Sequence, residues 1–356
     1  MFKAVKKEVI DQHNQSHKSD LDFDFEYLEK KLQQSQIDIH KIKEQVKKFQ
    51  VAVPTWGVGT GGTRFARFPG IGEPQNIYEK IEDCAVINDL IGFTQKVSPH
   101  FPWDNVEDFS ELKSFSDNYG IGFDVVNSNT FQDPDDSSES FKYGSLTNAS
   151  SAARDKAIEV NQRAIDNGKI LGSKGLTVWI GDGGNFPGQI SFSRSLERYI
   201  DSMKKIYSHL PKDWTVLLEH KPYEPAFYST VISDWGTSYI CAKELGDQAM
   251  CLVDLGHHLP NTNIEMIVSR LIDLKNYLFE VTVKDDSKAI GMRLSEIKKM
   301  SGPETEVLGV VNETGGVSRV SMSKKIQPGQ ILVIKTSPDD ISSIQEALGF
   351  EIADDL

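Results

Sequence analysis

The sequence predicts an α/β fold of the (β/α)8-barrel type, incomplete at about six βα units, with a small α+β domain after it. Short apolar segments typical of buried strands recur at Val51–Trp56, Lys96–His100, Gly122–Asn127, Leu176–Ile180, Val216–Glu219 and Met250–Asp254. Segments with helical periodicity separate or follow them, at Ile77–Leu90, Glu107–Asn118, Ala152–Asn167, Phe192–Leu210, Trp235–Leu245 and Ile264–Leu274. The strand ends are rich in polar and aromatic residues, which indicates one shared concave site, because a barrel gathers the carboxyl ends of its strands at one face.

Three domains follow from this pattern. Residues 1–50 are polar, with apolar positions at helical spacing, and predict two surface helices, the second ending at Phe49. Residues 51–275 form the barrel domain, and residues 279–350 form the C-terminal domain. A closed barrel has eight strands, so six units leave it open.

Composition excludes several classes of function. The 356 residues carry a formal net charge of −13, which disfavours nucleic acid and anionic membranes as partners. No apolar run approaches the roughly 20 residues of a membrane helix, and the first residues lack the apolar region of a secretion signal. The three cysteines are predicted to be reduced and buried. We therefore expect a soluble, cytoplasmic protein without membrane insertion.

The glycine-rich segment Gly57–Gly62 follows a strand but lacks the helix-opening pattern of a nucleotide site, which favours a flexible loop and no nucleotide cofactor.

The last two predicted strands end in residues that bind metals. Glu219 ends one strand and Asp254 the next, so one divalent cation could lie between their carboxylates. His257 follows Asp254 by three residues, where a turn would bring both side chains toward one cavity. We expect these three residues to be metal ligands.

Lys221 lies two residues after Glu219 and shares its face if the strand stays extended. A lysine beside a metal site can polarise a substrate oxygen. The alternative is a structural ion pair with Glu224. His258 points away from His257 and favours a structural role.

Aromatic residues mark the other strand ends. His100 and Trp103 lie in the segment HFPWD, and Trp56 and Trp179 end other strands. Aromatic walls with a few polar groups are typical of sugar sites, because sugar C–H faces stack on rings. Burial in the core is the alternative for a single histidine or tryptophan.

The segments EHKPYEPAFY, VDLGHHLPNTNIE, WGVGTGGTRF, HFPWD, NSNTFQD and GDGGNFPGQ together resemble the L-rhamnose isomerase family over about residues 51–275. The resemblance implies two divalent metals, usually Mn²⁺, a sugar substrate, a homo-oligomer, and aldose–ketose interconversion by a metal-assisted hydride shift. It implies that Glu219, Asp254 and His257 bind metal and that Lys221 and His100 are catalytic. It gives Trp56 and Trp179 as hydrophobic walls of the sugar site, and we expect Trp103 and Asn185 to contact the substrate as well.

The resemblance breaks downstream, because no histidine follows His258 to serve as the seventh-strand ligand of that family. One interpretation makes Phe279–Lys288 a seventh strand, with Asp285 and Asp286 as ligands. The favoured interpretation is a separate module, since residues 279–350 resemble the C-terminal domain of RCK (TrkA-type) potassium-transport regulators. That resemblance implies a dimerising α+β fold that can bind a small regulatory ligand. The join near Lys275–Phe279 could be a natural fusion or an artefact.

Two hypotheses result. In the first, the chain is a metal-dependent sugar isomerase whose activity could be impaired by missing C-terminal metal ligands. In the second, it is a non-catalytic sugar- or metal-binding barrel joined to a dimerising regulatory module.

Overall fold

The computed structural model describes residues 5–35, 37–49, 51–61, 70–101, 103–134, 136–223, 228–272, 277–300, 305–311, 317–318, 321–336 and 338–352. The chain divides into two compact units, Met1–Thr262 and Asn263–Leu356. None of the described helices is long and apolar enough to cross a membrane.

The first unit begins with two helices, α1 (Lys7–Gln33) and α2 (Ile39–Lys48), as the sequence predicts. Asp38 starts α2 because its carboxylate accepts hydrogen bonds from the backbone N–H groups of His40 and Lys41. Ile10 and Ile39 are the buried residues of these helices, and nearly all their other side chains face solvent.

Parallel strands form the sheet of the first unit. They are β1 (Ala52–Pro54), β2 (Lys96–Ser98), β3 (Gly122–Phe123), β4 (Val126–Asn129), β5 (Gly175–Trp179), β7 (Thr215–Glu219) and β9 (Ala249–Leu252), with β6 (Gly183–Gly184) and β8 (Ser229–Thr230) as a short antiparallel pair between them. The pairing orders are β1-β2-β3 and β4-β5-β7-β9. A parallel bridge from His100 to Asn127 joins the two groups, so β3 and β4 act as one interrupted strand. The six predicted strands are all confirmed.

Helices follow the strands and cover the sheet: α3 (Ile77–Ile91), α4 (Phe109–Asn118), α5 (Ser151–Leu171), α6 (Phe192–Tyr207) and α7 (Trp235–Leu245). Their buried apolar residues form one core with Leu176, Val178 and Leu218 of the strands. Close packing of α5 requires glycine at position 168, since a Cβ there would lie 2.8 Å from the Trp214 ring. This alternation of strand and helix confirms the predicted α/β architecture of barrel type.

The second unit is an α+β domain with its own core. It contains α8 (Ile264–Leu271), β10 (Tyr277–Val283), α9 (Leu294–Met300), β11 (Glu306–Val311), β12 (Val317–Ser318), β13 (Ile331–Thr336), α10 (Pro338–Leu348) and β14 (Phe350–Ile352). The sheet has the order β12-β11-β13-β10-β14, and its pairs are antiparallel. Val281, Leu332 and Ile334 are fully buried at its centre.

The interpretation of Phe279–Lys288 as a seventh barrel strand is therefore wrong. Strand β10 pairs antiparallel with β13 and β14, and parallel pairing would be needed in a βα barrel. Asp285 and Asp286 are exposed in the turn that follows β10. The contact boundary between the units, after Thr262, lies upstream of the predicted join and assigns α8 to the second unit. The domain limits themselves stay a prediction.

Candidate functional site

Glu219, Asp254 and His257 come together at the carboxyl ends of β7 and β9. The His257 Nδ1 atom lies 3.1 Å from Glu219 Oε1 and 3.7 Å from Asp254 Oδ2. One ligand atom from each residue lies within 4.8 Å of the other two, and this is the one such group of three acidic, histidine or cysteine residues in the described part of the chain. The geometry supports the sequence prediction that these residues share a site.

Strand pairing and a turn create this cluster. Glu219 is the last residue of β7 and pairs in register with Leu252 at the end of β9. After β9 the chain turns at Asp254, whose Oδ1 accepts a hydrogen bond of 2.7 Å from the Gly256 N–H and whose carbonyl accepts one of 3.1 Å from the His257 N–H. Asp254 to His257 thus form a turn, and this turn brings the His257 imidazole back toward the strand ends.

The donor set fits a hard or borderline divalent cation. Two carboxylates and one imidazole are ligands for Mn²⁺, Mg²⁺ or Zn²⁺. The Glu219 and His257 side chains are 15% and 19% exposed, so the cluster is accessible but partly desolvated. Two carboxylates this close repel each other in a site of reduced dielectric, and a cation between them removes that repulsion. The three residues thus offer three ligand atoms to a single cation.

Lys221 follows the last residue of β7 by two positions and contacts the aromatic residues. The strand ends at Glu219, and the Lys221 N–H instead donates to the Ile232 carbonyl at 3.0 Å. The Lys221 Nζ atom lies 5.3 Å from the centroid of the Trp179 ring, a cation–π contact. The exposure of Glu219, His220 and Lys221 alternates as in an extended segment, and the ammonium group lies at the strand ends. Glu224, the alternative partner of Lys221, lies outside the described residues.

An aromatic row runs along the ends of β1, β2, β4 and β5. The ring centroids are separated by 6.5 Å from Trp56 to His100, by 5.7 Å from His100 to Trp103, by 5.6 Å from Trp103 to Phe131, and by 5.0 Å from Phe131 to Trp179. The imidazole of His100 stacks on Trp103, and the other contacts are tilted or edge-on. The structure thus brings four predicted residues into one row.

Phe131 is the residue that sequence reasoning missed. It lies two residues after β4, in the segment NSNTFQD, and it bridges Trp103 to Trp179. Its position directly after a strand was a usable signal, but phenylalanine is common in cores and does not by itself indicate a site.

Burial sets the protonation of His100. Desolvation lowers the pKa of the His100 imidazole to about 4, against an opposing effect of Asp104, and Lys80 lowers the pKa further. The ring is therefore neutral at pH 7. The buried Nδ1 atom has no hydrogen-bond partner among the described residues.

A buried ion pair supports the first part of the aromatic row. Lys80 Nζ donates to Asp104 Oδ1 at 2.7 Å, and both side chains are essentially inaccessible. The other oxygen, Asp104 Oδ2, accepts from the His100 N–H at 2.8 Å and from the Thr55 hydroxyl at 2.5 Å. Asp104 therefore ties the end of β1 to the end of β2. Sequence reasoning did not identify this pair, because the two residues are distant along the chain.

Two further residues lie apart from these contacts. Asn185, a predicted substrate contact, is exposed in the loop after β6, and its N–H donates to Gln189 Oε1 at 2.6 Å. Its role stays a prediction. His258 packs edge-on against the fully buried His220, with ring centroids 4.9 Å apart, which supports the structural role expected for it.

The chain is similar in sequence to two bacterial proteins. It is 57% identical over 271 residues to a protein of Mesorhizobium japonicum named a probable sugar isomerase, a match that covers 76% of this chain and 63% of that protein. It is 56% identical over 275 residues to a protein of Rhizobium meliloti with the same description, covering 77% of this chain and 64% of that protein. The chain thus spans a little under two thirds of the length of these relatives. No family model matches the chain.

The similarity of this chain to proteins of solved structure is weaker than its similarity to these two relatives. An L-ribulose 3-epimerase aligns over 63% of this chain and 67% of its own, with a TM-score of 0.47 and 11% identity. A 3-keto-D-glucoside 4-epimerase of E. coli aligns over 64% of this chain and 76% of its own, with a TM-score of 0.46 and 13% identity.

Proposed function

We propose that this chain is a divalent-metal-dependent sugar isomerase that interconverts an aldose and a ketose of the L-rhamnose and L-rhamnulose type. The observation that carries the proposal is the cluster of Glu219, Asp254 and His257 at the ends of neighbouring strands, with Lys221 close after Glu219 in the chain and over the Trp179 ring. Identity above 55% to two proteins named probable sugar isomerases supports the same class of reaction. The motif resemblance to L-rhamnose isomerases supports the choice of sugar, of Mn²⁺, and of a cytoplasmic enzyme.

The roles of the charged residues follow from their positions. Glu219, Asp254 and His257 would hold the cation. A bound divalent cation supplies Lewis-acid polarisation of sugar oxygens. Lys221, whose side chain crosses the Trp179 ring, would place a fixed positive charge beside a substrate oxygen as negative charge develops on it.

The aromatic row would bind the sugar and exclude water. Ring faces stack on sugar C–H groups, and a wall of four aromatic side chains with one imidazole leaves few polar groups to compete for the hydroxyls. Neutral His100 would accept a proton from a sugar hydroxyl or orient that hydroxyl, which an imidazolium could not do as an acceptor.

Turnover and metal binding test this proposal together. The purified chain, stripped with a chelator and reloaded with Mn²⁺, would be incubated with a panel of aldohexoses and 6-deoxyaldohexoses, and ketose formation would be measured. We expect Mn²⁺-dependent conversion that the Glu219→Gln change abolishes. Absence of ketose from every sugar, with Mn²⁺ binding demonstrated by calorimetry, would refute the enzymatic role of this chain.

A second candidate is a non-catalytic barrel that binds sugar or metal and serves a regulatory module. Two observations favour it: the described residues contain one group of three possible metal ligands, where the isomerase resemblance implies two metals, and a separate α+β unit follows. We propose that residues 279–350 of that unit bind a small regulatory ligand, as the RCK resemblance implies. Saturable sugar binding without turnover would favour this candidate over the isomerase.

A further inference from the structure

The first unit contains a cavity that is separate from the metal cluster and from the aromatic row. It has a volume of about 430 Å³ and lies between the start of α4, the segment that follows β4, and the second half of α5. None of the described residues that line it belongs to the metal cluster or to the aromatic row. Sites for small molecules have volumes of roughly 300–1,000 Å³, so the cavity is large enough for a ligand. We name it the helix-side cavity.

Amide side chains supply the uncharged polar part of its wall. The side chains of Asn105, Gln132 and Asn167 form no hydrogen bond with another described residue. Asn129 is 3% exposed, and its Oδ1 accepts a hydrogen bond of 3.2 Å from the Phe131 N–H. The Asn129 Nδ2 atom has no partner in the described part of the chain. A buried donor without a partner is costly, and an acceptor oxygen of a bound molecule would satisfy it.

Aromatic and aliphatic side chains supply the apolar part of the wall. Phe101, Phe109 and Phe141 line the cavity, and the rings of Phe101 and Phe109 meet edge to face with centroids 5.5 Å apart. Val160 and Ala164 line it from α5. Rings pack against C–H groups, and amides both donate and accept hydrogen bonds, as hydroxyl groups do. The two parts of the wall together match a molecule that carries many hydroxyl groups on a carbon skeleton.

The charged residues in the described wall are already held by partners of this chain. Asp136 accepts a hydrogen bond of 2.6 Å from Arg163. The carboxylate of Asp133 accepts one of 2.6 Å from the Phe141 N–H and one of 3.0 Å from the Ser140 hydroxyl. A charged ligand would find no free counter-charge in this part of the wall, which favours a neutral ligand.

We propose that the helix-side cavity is a second carbohydrate site, which binds a neutral polyhydroxy molecule of monosaccharide size. The amides bind its hydroxyl groups, and the phenylalanine rings cover its C–H groups. The site stands apart from the isomerase activity proposed above, because it uses neither the cation ligands nor the aromatic row.

Equilibrium dialysis of the full chain tests this site, with labelled D-glucose, L-rhamnose, D-mannitol and myo-inositol as probes. At least one probe should bind, and its binding should persist in Trp179→Ala, a change at the strand ends. In the double variant Asn105→Leu with Asn167→Leu, the affinity should fall by at least about tenfold, because apolar side chains of similar size leave the hydroxyl groups unpaired.

Matched controls separate this loss from misfolding. Asn118→Leu makes the same chemical change at an exposed position at the end of α4 and should leave the affinity unchanged. Val160→Phe fills part of the cavity without removing a polar group and should weaken binding independently. Circular dichroism melting identifies any variant that does not fold.

Protection of an introduced thiol locates the bound molecule. The thiol of Asn167→Cys should react with iodoacetamide, and a saturating probe should slow that reaction severalfold. The thiol of Asn118→Cys should react at the same rate with and without the probe. The three native cysteines are buried or half-buried, and the unchanged chain measures their background reaction.

Three outcomes would overturn the proposal. They are a chain that binds none of the four probes, binding that survives both the double leucine variant and Val160→Phe, and displacement of the probe by inorganic phosphate. Loss of binding in Trp179→Ala alone would assign the sugar to the strand ends, which would support the isomerase site and contradict the helix-side site.

Discussion

The strand ends of the first unit have two contrasting halves. The ends of β1 to β5 carry an aromatic half, in which Trp56, His100, Trp103, Phe131 and Trp179 contact one another in sequence. The ends of β7 and β9 carry a charged half, in which one ligand atom each of Glu219, Asp254 and His257 lies within 4.8 Å of the other two.

The two halves differ in what fixes them. The aromatic half is held by contacts between its rings and by buried hydrogen bonds to the Asp104 carboxylate. These bonds come from Lys80, Thr55 and the His100 N–H. The charged half depends on one turn and on a His257 imidazole between two carboxylates. The aromatic half is therefore held by its own packing and hydrogen bonds, whereas the charged half places two carboxylates close to one imidazole.

Removal of Glu219 should have the largest effect on the charged half. Glu219→Gln keeps the shape of the side chain but removes one of two anionic ligands, so Mn²⁺ affinity measured by calorimetry should fall by more than about 100-fold. Glu244→Gln, an exposed position on α7, should leave the affinity unchanged. Equal affinities for Glu219→Gln and the unchanged chain would place the cation elsewhere.

Loss of the Lys221 charge should separate sugar turnover from metal binding. Lys221→Met retains the aliphatic stem over Trp179 but removes the positive charge, and turnover should fall by about 100-fold. The Mn²⁺ affinity should not fall, because the change removes the positive charge of the lysine, which repels a metal ion. The matched control is Lys212→Met, at an exposed position. A parallel loss of metal binding and turnover would mean that Lys221 supports the ligands instead of the substrate.

Phe131 tests the continuity of the aromatic half. Phe131→Ala opens a gap between Trp103 and Trp179 and should weaken sugar binding by about tenfold, with Mn²⁺ affinity unchanged. Tryptophan fluorescence during sugar titration measures the first quantity. Tyr143→Ala, a change at an aromatic residue that is 83% exposed, should have no effect on it. Unchanged sugar affinity in Phe131→Ala would make the row a packing feature only.

The smallest expected effect concerns pH. The folded chain keeps His100 neutral down to a pKa of about 4, whereas the unfolded chain takes up this proton near the ordinary value of about 6.5. The unfolded state binds more protons in this interval, so stability should fall as pH drops, by about 2 kcal/mol for this residue between pH 7 and pH 5.

Urea unfolding of the metal-free chain at pH 7 and pH 5 measures that loss, and the His100→Asn variant should lose less stability than the unchanged chain. An identical loss in both chains would show that His100 is solvated in the folded state.

Much of the first unit could be predicted from local sequence. Periodicity placed the six strands and the helices between them, since burial on a parallel sheet leaves short apolar segments in the chain. Helix limits were close to those observed, and Trp235–Leu245 was predicted at its observed ends. Glu219, Asp254 and His257 were also predicted together, because strand order and a short turn suffice to bring them to one edge.

Other features required the tertiary structure. Phe131 joins the aromatic row, and Lys80 reaches Asp104, through contacts between segments far apart in the chain. The N–H of Lys221 pairs with the carbonyl of Ile232, a partner that local sequence does not specify. The antiparallel pairing of β10 likewise excluded its role as a barrel strand.

The sequence by itself determined the alternation of strands and helices and the meeting of Glu219, Asp254 and His257 at neighbouring strand ends, because these depend on spacing within short segments. The tertiary structure decided which aromatic rings touch, which ion pair is buried and in which direction β10 pairs. Those features depend on packing and register between distant segments, and side-chain periodicity carries no information about the partner.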